Sequence, residues 1–97
     1  MSGGDEITSL RLCIEGDVQG VGYRYFAVAE ASRLKLDGWV RNRADGTVEA
    51  LVSGPNAAVE TFVGACMRGP SSARVRNVEL HLAAPPDQRG FYLKPTY

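Results

Sequence analysis

The 97-residue sequence predicts an α+β sandwich, two helices on one face of an antiparallel sheet of four to five strands. Three observations predict it. The alternating run Leu10-Arg11-Leu12-Cys13-Ile14 reads as a half-buried strand, and a glycine-rich loop and a segment of helical spacing follow it. Two further strand-like runs meet at Asp45-Gly46, a strong hairpin signal. A second helical stripe then stands between that hairpin and a last alternating run. The resulting order, β-α-β-β-α-β with a short tail strand, is the split βαβ or ferredoxin-like pattern.

The first strand is expected over Ser9 to Glu15, with Leu10, Leu12 and Ile14 on one face and Arg11, Cys13 and Glu15 on the other. The first helix is expected over Tyr23 to Lys35. Tyr23, Phe26, Ala27, Ala31 and Leu34 should face the core, and Glu30, on the same side, is assigned to the rim. Gly38-Trp39-Val40-Arg41-Asn42 reads as the second strand, Arg43 to Gly46 as the turn, and Thr47 to Ser53 as the third strand. Pro55 is tolerated in the first turn of the second helix, and Gly69-Pro70 stops it. Its buried stripe is expected to be Val59, Phe62, Val63, Cys66 and Met67. The fourth strand should run from Arg74 to Leu82 with Val78, Leu80 and Leu82 on one face. Val75 breaks that alternation, so the strand either starts later or carries a bulge. After Pro85-Pro86, Gly90 to Leu93 suits a short fifth strand. Residues 1–8 are expected to be a disordered tail and residues 9–97 a single domain.

Eleven basic and eleven acidic residues cancel, which argues against a nucleic-acid or membrane surface. The start carries no signal-like apolar run. The two cysteines, Cys13 and Cys66, form no C-x-x-C, so a metal cluster is not expected and reduced cytoplasmic thiols are. Their face assignments disagree, which argues against a bond between them.

The stretch Gly16-Asp17-Val18-Gln19-Gly20-Val21-Gly22-Tyr23-Arg24 carries the chemistry. Its glycines let the backbone turn several N–H groups to one concave spot, and the helix start adds unpaired N–H groups and a positive dipole end. Arg24 in the first helical turn is on the unfavourable end of that dipole, at a cost of about 0.3–1 kcal/mol. A bound anion would reverse the sign, and the guanidinium fork suits phosphate oxygens. The stretch is neither a Walker loop nor a dinucleotide fingerprint. In a split βαβ sheet the first two strands run parallel with the third between them. Asn42 is therefore expected on the same sheet edge as the loop.

These residues resemble the acylphosphatase family. The resemblance rests on Gly16 to Arg24 and on Gly38-Trp39-Val40-Arg41-Asn42, and it runs from Leu10 to Leu93. It implies hydrolysis of acyl phosphates to a carboxylate and inorganic phosphate, which would also inhibit competitively. By the resemblance Arg24 binds phosphate, Asn42 positions water, and Gln19, Gly20, Val21, Gly22, Tyr23 and Arg24 supply the cradle. It implies a small cytosolic enzyme with a small-molecule substrate; no cofactor or metal is expected, no nucleic-acid or membrane partner by the charge balance, and a monomer is the default. The chain departs from the family pattern at Asp17, where many members have a basic or neutral residue, and mildly at Tyr23, commonly Phe. Asp17 either shapes the loop by accepting N–H bonds or faces solvent and opposes the anion; the second is preferred, because the glycines can shape the loop unaided.

Bland readings stand beside these. His81 is expected at the surface, Trp39 packed on the sheet, and Arg41, Arg43, Arg74 and Arg76 solvated, with Arg41 and Arg43 also flanking Asn42. An RNA-binding domain of this fold would want stacking aromatics on the third strand, and a copper chaperone would want C-x-x-C; neither is present. The serious alternative is a module that binds phosphate or carbamoyl phosphate without turning it over.

Overall fold

A computed structural model describes residues 6–97. The chain runs β1 (Ile7–Asp17), α1 (Tyr23–Arg33), β2 (Asp37–Asn42), β3 (Val48–Pro55), α2 (Asn56–Arg68), β4 (Arg74–Leu82) and β5 (Phe91–Leu93). Both helices pack on one face of a five-stranded sheet ordered β4-β1-β3-β2-β5. β1 starts two residues before the expected Ser9, so Ile7 and Thr8 belong to the sheet. Of the rest of the expected tail, Glu6 is exposed and its carbonyl accepts from the Asn56 N–H, and residues 1–5 lie outside the described residues. No helix among the described residues is long and apolar enough to cross a membrane.

The core lies between sheet and helices. Leu12 and Ile14 of β1, Val40 of β2 and Val48, Ala50 and Val52 of β3 meet Tyr23, Ala27 and Ala31 of α1 and Val59, Phe62, Val63 and Cys66 of α2. The first strand's alternation thus places its apolar face as its period demands. Phe26 and Leu34 are only half-buried, and Glu30 at the rim pairs with Arg33. Met67, expected in the α2 stripe, is 50% exposed, and Ala65 is buried instead. Each residue turns about 100° round a helix, which carries Met67 past the edge of the stripe centred on Phe62 and Cys66.

The sheet is mixed, not wholly antiparallel: β5 runs parallel to β2. β4 ends at the edge where β1 and β2 begin, so the strand that follows must run upward along β2. The irregularity signalled by Val75 is a bulge. Glu15 pairs with Asn77 and Gly16 with Val75, leaving Arg76 unmatched. Val75 and Val78 pack against the core, whereas Leu80 and Leu82, expected on the same face as Val78, are 44% and 89% exposed. β4 is an edge strand, and Leu80 lines an open groove with Val59 and Val63 of α2.

Candidate active site

β1 delivers the loop and α1 receives it. Gly20 and Gly22 have φ of 75° and 80°, in the left-handed region, and a Cβ at either would meet nothing within 4 Å. Backbone conformation, not crowding, calls for glycine there. Gly22 is the N-cap of α1, and no side chain caps the helix. The N–H of Phe26 bonds back to the Gly22 carbonyl, so the N–H groups of Tyr23, Arg24 and Tyr25 are left without intrahelical partners.

Arg24 is half-buried at this positive helix end. The ion pairs among the described residues engage Arg11, Arg33, Arg41, Arg43, Arg76 and His81, but not Arg24. A cavity of about 140 Å³ opens beside it, lined by Val18, Gly20, Gly22, Tyr23, Arg24, Tyr25 and Asn42. Asn42 ends β2, which flanks β3 opposite β1, so the expected shared edge is observed. Its Oδ1 is buried and accepts no hydrogen bond among the described residues. Arg24, Asn42 and the helix-start residues Tyr23 and Tyr25 thus line one small space, where among the described residues the Arg24 guanidinium has no ion-pair partner and the Asn42 Oδ1 no donor.

Two expected cradle residues, Gln19 and Val21, do not line the cavity. Val21 packs against the core. The Gln19 side chain straps the loop to the β2–β3 hairpin, its Nε2 donating to the carbonyls of Arg43 and Thr47, both at 2.8 Å. The Tyr23 hydroxyl donates to the Cys66 carbonyl at 2.5 Å, tying the start of α1 to α2, and burial pushes its pKa up. A Phe there would lack that tie. The chain after β5 also reaches the site: the Tyr97 N–H donates to the Asn42 carbonyl, and the Ala44 N–H to that of Tyr97. None of these three ties follows from local sequence pattern.

Arg41 and Arg43 are not simply solvated. Both pair with Glu49, at 2.8 and 3.2 Å, and Arg11 joins at 3.4 Å. Burial acts to raise the Glu49 pKa, but the hydrogen bond and charge of Arg41, then those of Arg43, outweigh it and hold the carboxyl below its ordinary 4.5. A carboxyl with a lowered folded pKa binds protons less readily in the folded state. Its stabilisation is complete above the unfolded value and is lost as pH falls through the folded one. The thermal midpoint is therefore expected to drop below about pH 4.5, and Glu49→Gln should lower the pH 7 midpoint while lessening the acid dependence. An unchanged acid profile in the variant would refute this.

The acylphosphatase family model matches residues 10–93. The chain belongs to the acylphosphatase family. An acylphosphatase of Rhodospirillum rubrum is 56% identical over 91% of this chain and 97% of its own length. One from Acidiphilium cryptum is 52% identical over 88% and 93%. The crystal structure of acylphosphatase from Bacillus subtilis superposes with a TM-score of 0.84 at 37% identity, covering 92% of this chain and 99% of that one. The ferredoxin-like arrangement is thus the acylphosphatase arrangement, with the loop and Asn42 at its one shared edge.

Asp17 is exposed at the end of β1, and its side chain makes no hydrogen bond to the loop among the described residues. Arg74 is its cross-strand neighbour. This favours the electrostatic reading over loop shaping. Asp17→Asn is expected to lower the phosphate inhibition constant about two- to four-fold at low salt, the gain shrinking toward physiological ionic strength. Weaker phosphate binding with a lower thermal midpoint would make Asp17 a builder of the loop instead.

Proposed function

We propose that this acylphosphatase-family chain hydrolyses acyl phosphates to a carboxylate and inorganic phosphate, with Arg24 and the loop amides holding the phosphoryl group and Asn42 positioning water. The observation that carries the reading is the half-buried Arg24 at a helix N-terminus, unpaired among the described residues, facing one cavity with the unpartnered Asn42 Oδ1. An anion there satisfies the guanidinium and the N–H groups together. A water between the phosphoryl group and Asn42 donates a hydrogen bond to Oδ1, which aims its lone pair at phosphorus.

The chemistry asks little else. Water oxygen bonds to phosphorus as the acyl oxygen–phosphorus bond breaks and its electron pair leaves on the carboxylate. That leaving group has a pKa of about 4–5 and departs without a general acid. The water proton passes to a phosphoryl oxygen of the substrate, since an amide is no base. Catalysis then rests on positioning and on stabilising charge over the phosphoryl oxygens.

The test is turnover of benzoyl phosphate, followed by loss of its ultraviolet absorbance. Binding of phosphate without turnover would favour a sensing module instead. Because the residues named supply the charge stabilisation, activity is expected to survive excess EDTA. A fall that magnesium or zinc restores would overturn the metal-free mechanism. Inorganic phosphate is taken as a competitive inhibitor, since it fits the same cradle. The free thiols of Cys13 and Cys66 accord with a reducing cytoplasmic setting, and the reading takes the working unit as a monomer.

A further inference from the structure

Glu49 stands on the sheet face that no helix covers, yet it is only 4% exposed. Arginines cover it. Arg41, directly opposite on β2, donates from Nε to Oε1 at 2.8 Å, and its Nη2 lies in ion-pair contact with the same oxygen, also at 2.8 Å. Arg43, just past β2, donates to the same oxygen at 3.2 Å, and Arg11 of β1 reaches Oε2 at 3.4 Å. The Arg41 guanidinium is also held between two rings, 4.7 Å from the centre of Trp39 and 4.1 Å from that of Tyr97.

Arg41 and Arg43 are the two sequence neighbours of Asn42. Along a strand, side chains alternate between faces, so both arginines point to the open face while Asn42 points to the cavity. The Asn42 Oδ1 has no hydrogen bond of its own among the described residues to set its direction. Its aim must come from its backbone, and that backbone is gripped on both sides through Glu49. The grip is completed at Arg43, whose N–H donates to the Thr47 carbonyl and whose carbonyl accepts from Gln19.

We propose that Glu49 is a positioning residue for hydrolysis: by clamping Arg41 and Arg43 from the opposite sheet face, it fixes the end of β2 and so aims the Asn42 amide at the attacking water. The inference rests on the acyl phosphate reading of the site. Glu49 touches neither the cavity nor the phosphate cradle. Losing its charge should therefore disturb the water step and leave anion binding intact. Without Glu49, three guanidinium groups that now share one carboxylate would repel each other, and the strand end between two of them would loosen.

A double-mutant cycle on benzoyl phosphate at pH 7, run well below every variant's thermal midpoint, tests it. Glu49→Gln should lower kcat about tenfold, within the range that small misplacement of a positioned group costs, while the phosphate inhibition constant stays within about twofold. Combined with Asn42→Ala, Glu49→Gln should lower kcat no further, because the group it aims is gone. Arg41→Gln should behave like Glu49→Gln. Arg11→Gln, which removes a Glu49 partner remote from Asn42, should lower the thermal midpoint and keep kcat. A Glu49→Gln enzyme with normal kcat, or one whose loss persists in full without the Asn42 amide, would overturn the proposal. If Glu49→Gln does not fold, Arg41→Gln decides alone, and unaltered kcat there refutes it. Wild-type protein inert toward benzoyl phosphate would instead refute the functional reading on which the proposal rests.

Discussion

Arg24→Ala is expected to lower kcat/KM for benzoyl phosphate by about a thousandfold or more, the scale on which an arginine stabilises charge in phosphoryl transfer. The expectation comes from the position of the guanidinium. It lies in the first turn of α1, where the dipole opposes it, and it pairs with no carboxylate among the described residues. A cation kept half-buried and unpaired in such a place is stabilised when an anion arrives. Phosphate inhibition should weaken with activity, since ground state and transition state share this contact. Arg24→Lys should recover little, because an ammonium keeps the charge but loses the planar two-pronged donor. If the lysine variant retains more than about a third of wild-type kcat/KM, less than ~1 kcal/mol of stabilisation is missing, and the forked geometry is irrelevant.

Asn42→Ala is expected to reduce kcat about a hundredfold, as for removal of one positioned polar group. Phosphate inhibition should hardly change, because the anion is held by Arg24 and the N–H groups of the loop. The two variants thus separate the site into parts: one loses binding and turnover together, the other turnover alone. The ground for the second is the buried Oδ1, which accepts nothing from the protein among the described residues and faces the cavity. A buried acceptor without a donor costs free energy, so its retention is explained by a donor arriving with the substrate. Parallel loss of phosphate inhibition and activity would make Asn42 an anion ligand and leave the water without its guide.

The placement of Arg24 at the helix start was legible in the sequence because its setting is local. Glycines at Gly20 and Gly22 permit the left-handed turns that end a strand and start a helix, and the cation follows within two residues. Asn42 needed one further step, the handedness and order of a split βαβ sheet, which two helical stripes and one Asp-Gly turn suffice to imply. Periodicity likewise assigned Leu12 and Ile14 to the core face and Arg74–Leu82 to a strand.

What covers a face was beyond it. Alternation along β4 said that Val78, Leu80 and Leu82 share a side, but only the packing of α2 decided that Leu82 stays in solvent. The parallel course of β5, and the return of Tyr97 to the carbonyl of Asn42, depend on where a connection crosses the sheet. A glycine-rich loop suggests a backbone role for Gln19, whereas its side chain straps two loops whose sequence separation exceeds twenty residues. Alternation along β3 places Glu49 on the face away from the helices, where a carboxylate is ordinarily solvated. Its burial arises because arginines from two strands converge on it, and Tyr97 lays its ring over two of them. Sequence by itself determined the order of elements, the glycine-rich turn and the placing of Arg24 and Asn42 at one sheet edge, since each rests on backbone conformation or on period. The tertiary structure alone decided what holds them in place, since those ties join side chains distant in sequence, and no local period records which partner will stand opposite.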